Sequence, residues 1–352
     1  MNMLYGLMHS IIAVMISFLL QIIIHETGHM LAGMLTGWQL IYIQIFQIAM
    51  IKENKTYRWK KIFSAHCRCI MYPRAITQGA LLYTLGGLIL NILLSLLCLI
   101  CIGKFIRTPI PFIYSFSLFT SGIVISIING IPNTKKVSSD MACYQLLKKD
   151  DQTRCCHNAQ LLIAKQLFEG RTYRQIETVL IYTTGMEAYN DILAYQAVIE
   201  YYTHLDNDEY TSARKALNKV KLGIAVSQEV KAIIHMEYLY LDLLIDMVTG
   251  RTKTIESQKY NDIEEYILKF EAKGDIHSLR VIMLWKAYKH YSEGDYEAAA
   301  NFMDKAILKV TASCCLYLGE KVFCLDQLIG VQNILRCDYC AYSEEHKDTR
   351  IV

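Results

Sequence analysis

Ile24-His25-Glu26-Thr27-Gly28-His29 lies near the end of an apolar run from Leu7 to Leu35. A run of that length and composition reads as a membrane helix. Glu26 is the only Asp, Glu, Lys or Arg among the first 51 residues. A lone carboxylate at bilayer depth is costly and marks a functional position. His25 and His29 stand at i and i+4, one turn apart on one helix face, so both imidazoles reach a single metal ion. Glu26 lies beside that face, placed to take a proton from a water that the ion activates. This is the His-Glu-x-x-His pattern of zinc hydrolases. The competing reading, two buried histidines with a neutralised Glu26, requires the pattern to arise by chance inside an otherwise uncharged helix.

Charge placement extends this reading outward. Residues 1–51, 75–103 and 108–134 contain no Lys, Arg or Asp, and Glu26 is their only acid. The remainder is mixed-charge and reads as water-soluble. The 352 residues suit two domains, a membrane-embedded one over 1–150 and a soluble one over 151–352. A net charge of +3 gives no ground to expect a nucleic-acid partner. The first helix lacks a basic start and a small-residue cleavage site, so it is kept as structure rather than read as a signal peptide. The twelve cysteines show no disulfide spacing, and most fall in segments assigned to the cytosolic side, where thiols stay reduced.

The first helix, over Leu7–Leu35, is roughly 40 Å long, more than the hydrocarbon core of about 30 Å, so it tilts or projects. His9 lies roughly 24 Å along the axis from His25 and cannot share its metal. Trp38–Ile51 is apolar but short for a span, and its Ile and Tyr content favours strand. It is read as one arm of a β-hairpin or sheet lying near the membrane, with Lys52-Glu53-Asn54-Lys55 as the turn and Thr56–Trp59 as the returning arm. Its edge suits strand addition by an extended substrate. A re-entrant or fourth spanning helix is the other reading. Lys52 to Arg74 is a basic loop, cytoplasmic by the positive-inside rule. A second membrane helix covers about Ile76–Ile102 and holds Gly86-Gly87 and Asn91. The glycines permit close approach of a helix or a substrate backbone. Asn91 is either interhelical glue or a donor to a substrate carbonyl or oxyanion. A third membrane helix, about Ile110–Ile128, breaks at Asn129-Gly130-Ile131-Pro132. Lys135, Lys136 and an amphipathic stretch, Ser138–Lys149, follow. Three spans place the N-terminus outside the cell and the C-terminal domain in the cytosol.

From Asp150 the pattern becomes amphipathic helix, with runs at about 153–169, 172–183, 186–204, 208–221, 226–248, 257–272, 276–292, 295–309 and 313–336. Gly170, Gly185, Gly223, Gly250, Gly274 and Gly294 punctuate them. Tyr173, Tyr210, Tyr260 and Tyr296 open second helices of successive pairs, and Tyr291 to Ala299 resembles the turn of a tetratricopeptide repeat. The irregular period predicts a degenerate array of helical hairpins. It serves either as a cap or as a binding surface for a peptide or protein.

The N-terminal 150 residues resemble the site-2 protease family of intramembrane zinc metalloproteases. The likeness rests on His25-Glu26-x-x-His29 in a membrane helix, the strand-like run after it, and Gly86-Gly87-x-x-x-Asn91 in the next helix. It closes with Asn129-x-x-Pro132 followed by Asp140. The resemblance implies His25, His29 and Asp140 as Zn2+ ligands and Glu26 as general base. The family has Asp-Gly where this chain has Asp140-Met141. Its bacterial members cut membrane-anchored regulators or mature small secreted peptides, and a helical-repeat tail is not part of its core.

Scarcity of acids also points to Asp140. A catalytic zinc takes three protein ligands and leaves one position open, and the first 149 residues hold only Glu26, Glu53 and Asp140 as acids. Glu26 serves as base, and Glu53 sits among basic residues. His66, Cys67 and Cys69 are the competing ligands, and a helix cap, which Ser138 or Ser139 supplies as well, is the competing role for Asp140. The expectation is a mainly α protein in two parts. The first is a three-helix transmembrane metalloprotease core with a small β-hairpin, and the second a soluble helical-hairpin domain. It would reside in the cell membrane and act on a membrane-anchored protein or a small peptide precursor. Gly87 and Asn91 are the candidates on the substrate side. The alternative is a non-catalytic, zinc-containing membrane receptor or peptide-handling subunit that acts through its helical repeats.

Overall fold

In the computed structural model, which describes residues 3–53, 56–62, 66–132, 139–181, 187–221, 226–250 and 275–347, the first apolar run is one helix, α1 (Met3–Leu35). Its buried positions recur about a turn apart, at Ala13, Ser17, Gln21, His25, Glu26, His29 and Ala32, whereas Leu4, Ile11, Met15, Leu19 and Leu35 are exposed. Polar side chains inside and apolar ones outside reverse the pattern of a water-soluble helix and suit a lipid surround. α2 (Leu81–Phe105) buries Thr84, Asn91 and Ser95, and α3 (Pro109–Gly130) buries Ser117, Ser121 and Ser126. Among the described residues, these three helices are long and apolar enough to cross a membrane.

Local hydrogen bonds set the helix ends. Gly37, at φ 81°, ends α1 in a left-handed turn in which its N–H reaches Met34 O at 3.1 Å and the Trp38 N–H reaches Gly33 O at 2.9 Å. α2 starts at Leu81 rather than Ile76. Asn158 donates to the carbonyls of Ile76 and Gln78, each at 2.7 Å, and the Trp38 indole donates to Gly79 O, so these carbonyls are taken before a helix can use them. A side-chain carbon at Gly28 would strike the Gly86 carbonyl, and one at Gly86 would strike the Gly28 carbonyl. The crossing of α1 and α2 therefore requires glycine on both sides.

The stretch expected as a hairpin or sheet forms a sheet of four antiparallel strands. They are β1 (Gln39–Ile45), β2 (Ile48–Glu53), β3 (Thr56–Lys61) and β4 (Arg68–Tyr72), in the order β3-β2-β1-β4. Trp38–Ile51 is not one arm, because it folds back at Phe46-Gln47 and pairs Ile45 with Ile48. Phe46 takes φ 51°, its N–H donates to Cys67 Sγ, and Gln44 donates to its carbonyl at 2.7 Å. β4 forms inside the basic stretch expected as loop, because it pairs with β1 from Gln39↔Tyr72 to Gln44↔Arg68. α4 (Asp140–Lys149) and α5 (Asp151–Phe168) follow.

The chain divides into two compact units, Met1–Lys165 and Gln166–Val352. In the second, the helix expected over 172–183 is replaced over its described part by a 3-10 turn at Tyr173–Gln175 and a short α6 (Thr178–Ile181). Gln175 accepts the Thr172 N–H and Asp206 accepts the Arg174 N–H, which closes the first turn off. α7 (Asp191–Asp206), α8 (Tyr210–Leu217), α9 (Gln228–Thr249), α10 (Ile276–Ser292), α11 (Tyr296–Ala312) and α12 (Leu318–Lys347) complete it. Asn190, Ser227, Asp275 and Asp295 cap α7, α9, α10 and α11 by accepting a backbone N–H three residues on. α7 and α8 join through residues 207–209, and α10 and α11 through 293–295, with Asp208 and Gly294 at positive φ. The core holds a buried ion pair, Arg280 Nη2 to Glu237 Oε2 at 2.5 Å, with the guanidinium 3.8 Å from the Tyr240 ring centre. Asn54-Lys55, Lys135-Lys136, Ser138, Gly185, Gly223 and the 257–272 run with Tyr260, together with Gly274, lie outside the described residues.

Candidate metal centre

His25 Nε2, His29 Nε2 and Asp140 Oδ2 meet in the first unit. The two nitrogens are 3.3 Å apart, and Asp140 Oδ2 is 3.1 Å from His25 Nε2 and 3.4 Å from His29 Nε2. The helical period of α1 supplies the imidazole pair. The start of α4 supplies the carboxylate. Ser139 is the cap of α4: its hydroxyl accepts the Ala142 N–H at 3.2 Å and donates to Ile131 O at 3.0 Å. Asp140 is thereby free of the capping role and turns to the histidines. Burial alone would push its carboxyl up, but the two imidazoles outweigh burial and hold it at about 2.

The three donors fit a small tetrahedral cation. Metal–ligand bonds near 2.0–2.1 Å at tetrahedral angles put neighbouring donor atoms about 3.3–3.4 Å apart, and the observed separations fall within the tolerance of about 0.2 Å. Asp140 Oδ2 is buried and faces the two imidazole nitrogens. Gly87 on α2 completes the cradle. A Cβ there would lie 2.7 Å from both His25 Cε1 and His29 Nε2, so any side chain would push the imidazole rings aside.

Neighbouring groups fix the rings and Glu26. His29 Nδ1 donates to the Tyr83 carbonyl at 2.8 Å, which leaves its Nε2 lone pair toward His25 and Asp140. Tyr83 stacks on Trp38 with ring centres 4.6 Å apart, and its hydroxyl donates to Cys69 O at 2.7 Å. Glu26 is buried beside His25, and its carboxylate accepts the backbone N–H of Cys69. The β4 backbone is thus bonded to both α1 and α2 at the site. The backbone contributions of Tyr83 and Cys69 carried no sequence signal, because main-chain groups are the same in every residue.

Among the described residues, the triad is the group of His, Cys, Asp and Glu side chains able to hold a metal. His66 is exposed and outside it. Cys67 and Cys69 are also outside it, and burial pushes both thiols up. Glu53 pairs with Lys60 at 2.8 Å and Arg58 at 3.7 Å, across the β2–β3 ladder. Asn91 is fully buried one turn beyond Gly87, and neither amide atom has a partner among the described residues. Comparison of the chain with protein-family models, with curated proteins and with solved structures finds no match.

Proposed function

We propose that this chain is an intramembrane zinc metalloprotease of the site-2 protease kind, cutting a membrane-anchored protein or a small peptide precursor. The observation that carries this reading is the convergence of His25, His29 and Asp140 at tetrahedral spacing, with the Glu26 carboxylate beside them inside a helix of membrane-spanning character. His25, His29 and Asp140 would hold the ion. A bound Zn2+ supplies Lewis acidity that makes water a nucleophile at neutral pH. Glu26 accepts the proton of the attacking water on its carboxylate and returns it to the leaving amine. A structural zinc site has no use for that carboxylate, which weighs against a non-catalytic receptor. The outer edge of β4 is engaged by Tyr83 and Glu26 at Cys69, whereas β3 is exposed along its whole length. Strand addition by a substrate is therefore assigned to the β3 side of the sheet.

The basic residues Arg58, Lys60, Lys61, Arg68 and Arg74 favour a cytosolic position for the sheet, with the N-terminus outside and the helical unit in the cytosol. There, a tetratricopeptide-like array would bind a peptide or protein partner. Membranes carrying the Glu26→Gln chain should accumulate uncleaved small membrane proteins or peptide precursors relative to wild type, measured by N-terminal peptide profiling. Identical profiles with a folded, metal-loaded Glu26→Gln chain would overturn the enzymatic assignment.

A further inference from the structure

His25 and His29 differ in how their second nitrogens are held. His29 Nδ1 has the Tyr83 carbonyl, while His25 Nδ1 is buried without a partner among the described residues. A metal-bound histidine nearly always gives that N–H to a carboxylate, a carbonyl or a water. Leaving it unmatched forfeits the hydrogen bond that water would give it.

The surroundings of His25 Nδ1 identify its partner. A Cβ at Gly87 would lie 2.8 Å from this nitrogen, so the ring edge faces α2 at Gly87. The next residue along that face of α2 is Asn91, one turn on. Helical side chains lean toward the N-terminus, over the residue four positions earlier. The Asn91 carboxamide is thereby carried back toward Gly87 and the His25 ring. Other unmatched atoms gather at the same depth. A side-chain carbon at Gly122 would strike Ser95 Oγ and lie 2.5 Å from Gln21 Nε2, which places Gln21, Ser95 and Gly122 in one layer of the three-helix interior. His25, Asn91 and Ser126 each lie four residues from that layer, toward the metal centre. Gln21 Oε1, Asn91 Oδ1, Asn91 Nδ2 and Ser126 Oγ are all buried with no protein partner among the described residues. Three helices thus carry unmatched polar atoms in the layer of His25, at a depth where lipid supplies no hydrogen bonds.

We propose that Asn91 is a positioning residue for His25. One internal water accepts from His25 Nδ1–H and donates to Asn91 Oδ1 and Gln21 Oε1, satisfying three of these atoms together. The contact holds His25 in the tautomer whose Nε2 lone pair faces His29 and Asp140. Asn91 then acts on metal retention and ring orientation, rather than on a substrate oxyanion. The inference rests on the metal centre proposed above.

The test is metal affinity of the detergent-purified full chain, by competition of a chromogenic chelator for Zn2+ or Co2+. Asn91→Leu should weaken binding by about 10–100-fold and alter the Co2+ absorption spectrum. Asn91→Asp, which keeps the acceptor oxygen, should restore both. A packing role would change the melting of the metal-free chain and leave affinity alone, and an oxyanion role would lower turnover at unchanged affinity. Wild-type affinity in Asn91→Leu, or equal loss in Asn91→Leu and Asn91→Asp, overturns the assignment. Should Asn91→Leu fail to fold, Asn91→Ala replaces it in the same comparison, with the same two results deciding. A wild-type chain that binds neither ion rejects the metal centre itself, a separate outcome from wild-type binding that is indifferent to Asn91.

Discussion

Gly87→Ala tests the cradle around the metal with one methyl group. The added carbon would lie 2.7 Å from His25 Cε1, 2.7 Å from His29 Nε2 and 2.8 Å from His25 Nδ1. Carbon packs against such atoms at about 3.5 Å or more, so rings or helix must yield by about 0.7–0.8 Å on two ligands at once. Metal sites tolerate about 0.2 Å. The expected loss of affinity is at least that of losing a residue that orients a ligand, about 10–100-fold, equivalent to about 1.4–2.7 kcal/mol. Gly103, near the other end of α2, has nothing within 4 Å of its Cβ position. Gly103→Ala should therefore leave metal binding unchanged. Chelator competition on both purified variants, with circular dichroism to confirm retained helix, reads the difference. Wild-type affinity in a folded Gly87→Ala chain would refute the reasoning, because it would mean that the rings do not abut α2 as described.

Asp140→Asn should lower metal occupancy at limiting Zn2+, whereas His66→Ala should leave it unchanged; the reverse pattern in metal analysis would move the third ligand to the loop before β4. A reporter fused at Val352 should give a cytoplasmic signal, and an external signal would show that the number of spans is not three. Glu237→Ala should destabilise the helical unit by about 3–5 kcal/mol, because it leaves the buried Arg280 charge without its carboxylate. A melting temperature within about 1 °C of wild type, far below the shift that such a loss implies, would refute a stabilising role for that pair.

Much of this was legible in the sequence because the signals were periodic or scarce. The helical repeat alone puts His25 and His29 on one face, and the dearth of acids before residue 150 left Asp140 as the candidate third ligand, whose carboxylate the structure brings to both imidazoles. The three helices long and apolar enough to cross a membrane followed from long uncharged runs. What escaped was set by tertiary contacts. The turn at Phe46-Gln47 has none of the Gly, Asn or Pro that usually announce one, and Cys67 and Gln44 hold it from the side. β4 formed where basic residues suggested loop, since pairing with β1 outweighed composition. The start of α2 moved because Asn158, far along the chain, takes its first carbonyls. Gly87 was legible as a close-approach position, but only the structure shows that the histidines are what approach it.

Metal content of the purified full chain tests the central claim most directly. Wild type and Glu26→Gln should each carry one Zn2+ per chain after dialysis against metal-free buffer, since the proposal assigns Glu26 as base and not as ligand, and His29→Ala should carry essentially none. A folded wild-type chain without metal, or full occupancy in His29→Ala, would contradict the account.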